Sequence, residues 1–321
     1  MCKSESIKVY EVTKETAEKL KLDSEKRNKL NIEINITTAK NSFEIKSDKY
    51  VPFSDLKIEQ QYLKHLIKKE INELCKKNKG DNKILLASYQ GKVPKNADIE
   101  NMLFYNIGTG ILAKFFSGQT TQRLAFWRKS SQDDKHNTYN YEIADAPADD
   151  KLPEEITNIF KPKKSAGWEN ISINSKTLPE KPGEYYSALR LNKDKVKIIP
   201  PGSNGYEEAF GLKITLTVPK SNKSSHPASV MKHFLDGVIC AFHGEDGKAE
   251  NAVKERFKKD ELFKQLLKDS DKLNVLGKRE YLKQNTGWNP ADEADRLKFA
   301  YIIVKREGAE YKMSGEIYKW E

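Results

Sequence analysis

Long apolar runs are missing from this chain of 321 residues, and so are paired cysteines. No stretch approaches the roughly 18 apolar residues that a membrane-spanning helix requires. The three cysteines, Cys2, Cys75 and Cys240, are odd in number and far apart, which fits neither a disulfide framework nor a CxxC zinc pattern. The opening MCKSESIKVYEV has no apolar core of the signal-peptide type. These features predict a cytoplasmic protein without a membrane segment.

The common catalytic motifs are also missing. The sequence contains no Walker loop, no Rossmann fingerprint, no GxSxG elbow and no HExxH helix. The NIGTG stretch at 106–110 lacks the lysine of a phosphate-binding loop and does not directly follow a strand. Most familiar enzyme classes are therefore excluded, and the sequence leaves open whether the protein is an enzyme.

Basic residues are in excess. Lys and Arg number 57 against 47 Asp and Glu, which gives a formal net charge of +10. This balance favours an anionic partner, and we expect nucleic acid. Most of these residues are lysines, which recognise bases less specifically than arginines do, so a merely solvated surface is the alternative. We further expect other protein subunits as partners and a prokaryotic source.

The order of patterns predicts an α+β fold with mixed sheets and inserted helices. A small hairpin-and-helix module is expected over residues 1–80 and a first α+β half over 81–144. Residues 145–183, with their prolines and charged clusters, are expected to form a loosely ordered linker or elaborated loop. A second α+β half follows over 184–321.

Hydrophobic periodicity predicts the main elements. Alternating residues indicate strands, and apolar residues three and four positions apart indicate helices. The predicted helices are Ile58–Cys75, Ile99–Phe116, Met231–Gly247 and Glu250–Leu267. The predicted strands include Lys29–Thr37, Ser42–Val51, Tyr185–Leu191, Lys195–Ile199 and Phe210–Val218, and Thr286–Glu293 is predicted to be a loop.

One pattern occurs twice. The strand Lys83–Ser88 is followed by Val93-Pro94-Lys95 and a helix, and the strand Leu212–Thr217 is followed by Val218-Pro219-Lys220 and a helix. The repetition predicts an internal duplication, a pseudo-dimer with a ligand groove between its halves. The alternative is that Val-Pro recurs because proline ends strands for backbone reasons alone.

The helix predicted at Met231–Gly247 concentrates titratable groups. His233, Asp236, Cys240 and His243 lie on one stripe at about 100° per residue. Neighbouring members could share a divalent metal, with Asp246 or Asp292 as a further ligand, or serve as an acid/base pair. The alternative is that Asp236 bonds backbone near Gly237 and that Cys240 is a small buried residue.

Two basic and aromatic stretches are candidates for contact with nucleic acid. QRLAFWRK at 122–129 is a strand with mixed faces, and LGKRE with GWNPAD combines two cations with an aromatic ring before the last strands. Core packing of the rings and ordinary turns are the alternatives. The residues expected at a nucleic-acid interface are Arg123, Trp127, Arg128, Lys129, Lys278, Arg279 and Trp288.

Three functions remain open from the sequence. The leading one is a nucleic-acid-binding or nucleotide-binding recognition subunit of a multi-component prokaryotic system, in genome defence or DNA processing. The second is a metal-dependent nuclease or hydrolase with Asp236 and His243 as its catalytic residues. The third is a protein-interaction subunit that binds no nucleic acid.

Overall fold

The chain divides into two compact units in a computed structural model. The structure describes residues 3–10, 18, 30–52, 57–91, 99–105, 109–129, 135–199, 209–222, 225–245, 273–279, 281–284, 287–290 and 296–319. Unit 1 comprises residues 1–119 and 123–150, and unit 2 comprises residues 120–122 and 151–321.

Unit 1 contains a mixed sheet and helical segments. A π-helical turn at Asn101–Tyr105 lies ahead of the α-helix at Thr109–Phe116. The elements are β1 (Lys3–Tyr10), β2 (Leu30–Thr38), β3 (Ser42–Ser47), α1 (Ile58–Lys77), β4 (Lys83–Gln90), α2 (Thr109–Phe116), β5 (Thr121–Lys129) and β6 (Asn137–Asp145).

The sheet of unit 1 has the order β1-β2-β3-β6-β4-β5. The pair β4 and β5 is parallel, and the other neighbours are antiparallel. Buried tyrosines organise its core: Tyr139 accepts a 2.8 Å hydrogen bond from the backbone of Val51, and Tyr141 donates one of 2.6 Å to the carbonyl of Leu103. These bonds satisfy the hydroxyl groups that burial would otherwise leave unpaired.

Unit 2 contains parallel and antiparallel strands and its own helices. Among the described elements, short strands β10 to β13 lie between the helix at Pro227–Ala241 and the two long strands that follow them. The elements are α3 (Glu154–Phe160), β7 (Lys163–Ser172), α4 (Pro182–Leu191), β8 (Lys197–Ile198), β9 (Phe210–Val218), α5 (Pro227–Ala241), β10 (Gly244–Glu245), β11 (Lys278–Arg279), β12 (Tyr281–Gln284), β13 (Gly287–Pro290), β14 (Leu297–Arg306) and β15 (Lys312–Lys319).

The main sheet of unit 2 has the order β14-β9-β15-β7-β8. The pair β9 and β14 is parallel, and the remaining neighbours are antiparallel. Leu212, Ile214 and Leu216 of β9 are buried, whereas Lys213 and Thr215 between them are partly exposed. This alternation gives β9 one apolar face and one polar face.

Both units share one topology. In unit 1, β3 pairs with β6, β6 with β4, and β4 in parallel with β5; in unit 2, β7, β15, β9 and β14 repeat this arrangement. The predicted α+β class with mixed sheets is confirmed, and the repeated topology supports the predicted duplication. The first Val-Pro-Lys, at 93–95, lies outside the described residues.

None of the helices in the described ranges has the length and apolar character that crossing a bilayer requires.

The prediction of a strand at Tyr185–Leu191 is wrong, because these residues belong to helix α4. Pro182 opens the helix, and the Glu184 carboxylate accepts hydrogen bonds from the backbone N–H groups of Glu180 and Lys181. Tyr185, Ala188 and Leu189 are buried at helical spacing. The cap and this spacing outweigh the strand propensity of the two adjacent tyrosines.

Helix α5 begins and ends earlier than predicted. It spans Pro227–Ala241, since Pro227 suits the first helical turn, and His243 lies beyond its end. The single helix predicted at Ile99–Phe116 includes the π-helical turn and α2, with residues 106–108 outside the described part. The helix predicted at Glu250–Leu267 lies entirely outside the described residues.

The segment 145–183 contains more regular structure than expected. The ten-residue strand β7 lies within it, in addition to the short helix α3 that the sequence pattern itself indicates. The strand expected at Lys195–Ile199 is reduced to the two residues of β8, and part of the expected loop at Thr286–Glu293 is strand β13. Bulges in β7 interrupt the alternation of its buried residues, such as Ala166 and Trp168, so the sequence shows no clear strand period there.

Gly237 sets the contact between α4 and α5. A Cβ atom at this position would overlap the carbonyl oxygen of Pro182 and lie 2.7 Å from Cβ of Tyr185. The ring of Tyr185 stacks on Phe234 with centroids 4.8 Å apart. Glycine therefore allows the two helices to approach closely at this point.

We expect Gly237→Ala to lower the free energy of unfolding by about 1–3 kcal/mol, because overpacking against backbone outweighs alanine's higher helix propensity. Urea denaturation monitored by circular dichroism measures the change. Gly183→Ala is the matched control, since a Cβ atom there meets nothing within 4 Å. Equal stability of the two variants would contradict the prediction.

Candidate functional site

The titratable stripe of α5 makes structural contacts. Asp236 lies 3.3 Å from the ammonium group of Lys232, one turn earlier on the helix. Cys240 is buried. His243 lies past the helix end, so the regular helical stripe does not extend to it.

His243 is fully buried between backbone and arginine. Its Nδ1 lies 2.8 Å from the carbonyl oxygen of Ile239, and its Nε2 lies 3.3 Å from Nη1 of Arg296. A carbonyl requires a donor and a guanidinium group donates, so Nδ1–H with an accepting Nε2 is the tautomer that satisfies both. The carbonyl of His243 accepts a further 2.6 Å bond from Arg190. This network ties the end of α5 to α4 and to Arg296, just ahead of β14.

The described residues contain no group of three or more His, Cys, Asp or Glu side chains that could hold a metal ion. Asp246, the proposed further ligand, lies outside the described part of the chain, as does Asp292. The metal site at Asp236, His243 and Asp246 and the catalytic role of the first two therefore stay predictions. In the described geometry, Asp236 and His243 have protein partners.

Some residues of the predicted nucleic-acid interface on β5 form contacts within the protein, and others are buried in the core. Arg123 donates to Asp150 at 2.7 Å and to Asn82 at 3.2 Å. Trp127 is only 5% exposed, which leaves little ring surface for stacking on a base. Arg128 and Lys129 are partly exposed at the end of the strand.

The second predicted stretch is described through its backbone. Lys278 and Arg279 form β11, parallel to β10, and Trp288 is paired with Lys283 in the β12–β13 hairpin. The side chains of Lys278, Arg279 and Trp288 lie outside the described part. Their expected contact with nucleic acid stays a prediction.

A groove on the main sheet of unit 2 is the candidate site that the sequence did not reveal. It has a volume of about 580 Å³ and lies over β9, β15, β7 and the residues around β8. We call it the lysine groove, because four lysines line it against two glutamates. Its lining residues are Lys164, Gly167, Trp168, Glu169, Lys195, Lys197, Ile199, Lys213, Thr215, Ser314, Gly315 and Glu316.

The strand register arranges the groove in two rows. The charged row is Lys213, Glu316, Gly167 and Lys197, one residue from each of the four strands. A second row carries hydroxyl groups, since Ser314 pairs with Thr215. Directly paired residues share one face of a sheet, so the side chains of each row are neighbours. The groove thus combines ammonium and hydroxyl donors.

Glu316 organises the charges of the groove. Its carboxylate lies 2.6 Å from Nζ of Lys164 and 3.6 Å from Nζ of Lys213, and it accepts a hydrogen bond from the Tyr318 hydroxyl. Burial alone would raise the pKa of Glu316, but hydrogen bonds from Lys164 and Tyr318 and the charge of Lys213 lower it below its ordinary value. The carboxylate is therefore charged at neutral pH and fixes two ammonium groups.

Sequence reasoning missed the groove because its residues come from distant parts of the chain. Lys164 lies in the segment predicted to be a linker or an elaborated loop, and Lys195 and Lys197 lie in a stretch of exposed residues. The available signals were the alternation of Lys195 and Lys197 and the polar positions between the buried residues of β9. Only the strand register joins them into one surface.

Comparisons of the chain with protein-family models, with curated proteins and with solved structures found no match. The groove and its charges therefore carry the functional argument.

His226, the residue just before helix α5, is harder to protonate in the folded protein than in the unfolded chain. His226 is 7% exposed, and its carbonyl accepts hydrogen bonds from both N–H and hydroxyl of Ser229. Burial, and next the charge of Arg306, lower the pKa of His226 from 6.5 to about 4. The neighbouring carbonyl of Ser225 accepts a 3.0 Å bond from the same arginine.

We expect the stability of the protein to fall as the pH drops from about 6.5 to about 4, because the unfolded chain protonates His226 and the folded chain resists protonation. The contribution amounts to at most about 3 kcal/mol. Denaturation of the wild type and His226→Gln across this range measures it, with the difference between the two slopes as the readout. Parallel slopes would show that His226 does not contribute.

Proposed function

We propose that the chain binds nucleic acid through the lysine groove. The observation that carries this proposal is the meeting of four lysines in one groove on a sheet face. Against two glutamates they leave the groove a formal charge of +2, in a chain whose net charge is +10. Phosphate groups are the natural partners of clustered ammonium groups.

The composition of the groove favours contact with the phosphate backbone. Ammonium and hydroxyl groups bind phosphate oxygens and carry no direct sequence information. Among the described lining residues the aromatic ring is that of Trp168, which is 2% exposed and packs on Phe242. Stacking of bases on this surface therefore gains little, and binding is expected to be largely independent of sequence.

Two groups of lysines in the groove differ in their availability. Lys164 and Lys213 are ion-paired with Glu316, whereas Lys195 and Lys197 are exposed. A phosphodiester chain could meet Lys195 and Lys197 without first breaking those ion pairs. These two lysines are expected to contribute most to the salt-dependent part of binding.

The proposal concerns DNA and RNA alike, because both present phosphodiester groups. A role as recognition or accessory subunit of a multi-component prokaryotic system, in genome defence or DNA processing, is consistent with a binding surface of this kind. That role stays a prediction from the sequence.

We expect Lys195→Gln/Lys197→Gln to weaken binding of a fluorescein-labelled single-stranded oligonucleotide by about tenfold or more at low salt. Fluorescence anisotropy titrations with DNA and RNA measure the effect. Lys77→Gln/Lys79→Gln is the matched control, because it removes the same charge from exposed lysines at the end of α1 in unit 1. Equal losses in both double variants would mean that net charge, not the groove, determines binding.

The salt dependence tests the same contacts independently. Each phosphate contact to a single strand contributes about 0.7 to the slope of log affinity against log salt concentration. Removal of Lys195 and Lys197 should therefore reduce the magnitude of the slope by about 1.4, and the control should not. A wild-type protein that binds neither DNA nor RNA would overturn the proposed function.

A further inference from the structure

The charged row of the lysine groove contains one residue without a side chain. Along the row, Lys213 faces Glu316, Glu316 faces Gly167, and Gly167 faces Lys197. Neighbouring strands lie about 4.8 Å apart, so successive members of the row are close enough for their charged groups to interact. The glycine makes a gap between an acidic and a basic residue.

The side chain of Lys164 extends over this glycine. A Cβ atom at Gly167 would lie 2.6 Å from Cε and 2.8 Å from Nζ of Lys164. From there the ammonium group reaches Glu316, at 2.6 Å. The missing side chain at residue 167 thus allows Lys164 to lie flat on the sheet, within the charged row.

The charges along the row alternate in sign except at the end, where two cations follow one another. Lys213, Glu316 and Lys164 follow one another as cation, anion and cation. Lys197 of β8 comes next as a third cation, directly after Lys164. Two adjacent cations on one face attract an anion between them. One phosphate group can accept from both ammonium groups with different oxygens, as in charge-assisted phosphate contacts generally.

We propose that one phosphodiester group of a bound nucleic acid lies over Gly167, between Lys164 and Lys197. This inference rests on the proposed function and assigns one phosphate position within the groove. Gly167 determines the site because it sets the location of the Lys164 ammonium group. Ser314 and Thr215, in the neighbouring row, offer hydroxyl donors for the adjoining part of the backbone.

Gly167→Ala separates a positioned site from a merely basic surface, because it changes no charge. The added Cβ displaces the flexible end of Lys164 rather than backbone, so the strand should fold normally. We expect the Kd for a single-stranded oligonucleotide to rise about tenfold, as one charge-assisted contact is lost. Gly183→Ala, where a Cβ meets nothing within 4 Å, should leave the Kd unchanged.

A double-mutant cycle identifies the residue through which Gly167 acts. Lys164→Gln should weaken binding about as much as Gly167→Ala, and the double variant should lose little more than either. Additive losses would show that Gly167 does not act through Lys164 and would overturn the inference. Circular dichroism and urea denaturation of each variant confirm that it is folded.

The outcomes distinguish this inference from the proposed function. If Lys195→Gln/Lys197→Gln weakens binding and Gly167→Ala does not, the groove binds nucleic acid but the phosphate position is wrong. If no groove variant changes binding, both proposals fail. Inorganic phosphate as competitor identifies the source: displacement of the oligonucleotide at low millimolar phosphate, lost in Gly167→Ala, would show that a free phosphate is the preferred ligand and would overturn the assignment to a phosphodiester.

Discussion

The parallel pairing of β9 with β14 is the constraint on which unit 2 depends, as the pairing of β4 with β5 is in unit 1. A tight turn cannot join parallel strands, so the chain must leave the sheet and return through a long crossover. In each unit that crossover carries a helix. Along β9 and β15 of unit 2, buried residues alternate with partly exposed ones. The polar positions between them then face away from the helices. The lysine groove occupies such positions of β9, β15 and β7.

The packing of α4 on α5 and the lysine groove each depend on a glycine that leaves room for a neighbouring group. Gly237 allows α4 and α5 to approach, and Gly167 allows a lysine side chain to lie on the sheet. At Gly237 an added methyl group meets backbone, which cannot move cheaply; at Gly167 it meets the end of a flexible side chain. The first glycine is therefore expected to matter for stability and the second for the position of a charge.

The sequence predicted the parts of the fold that depend on local pattern. Hydrophobic periodicity correctly indicates the hairpin of β2 and β3, helix α1 and strand β9. Each of these elements buries one face, so its apolar residues recur at regular spacing. The strand predicted at Tyr185–Leu191 failed because a proline and a glutamate cap determine helix α4. Strand β7 was missed because its bulges interrupt the alternation of its side chains.

The candidate site could not be predicted in the same way. Lys164, Lys213 and Glu316 are far apart in sequence, and only the register of β9, β15 and β7 brings them together. The stripe of titratable residues on α5 could be recognised in the sequence because its members are close together in the chain. A recognisable pattern does not by itself indicate a catalytic site, since Asp236 and His243 have protein partners in the described geometry. A site built across strands leaves almost no signal in a single sequence.

The two units share a topology but differ in charge on the corresponding face. In unit 1, one row of directly paired residues on β4, β6, β3 and β2 consists of Ser88, Asn140, Glu44 and Thr37, and the next row on the same face contains a single lysine, Lys46. In unit 2, the charged row brings Lys197 beside Gly167, and the side chain of Lys164 extends over that glycine. A duplicated fold therefore does not imply a duplicated site. Because phosphate attraction depends on adjacent cations, the row of unit 2 meets this requirement and that of unit 1 does not.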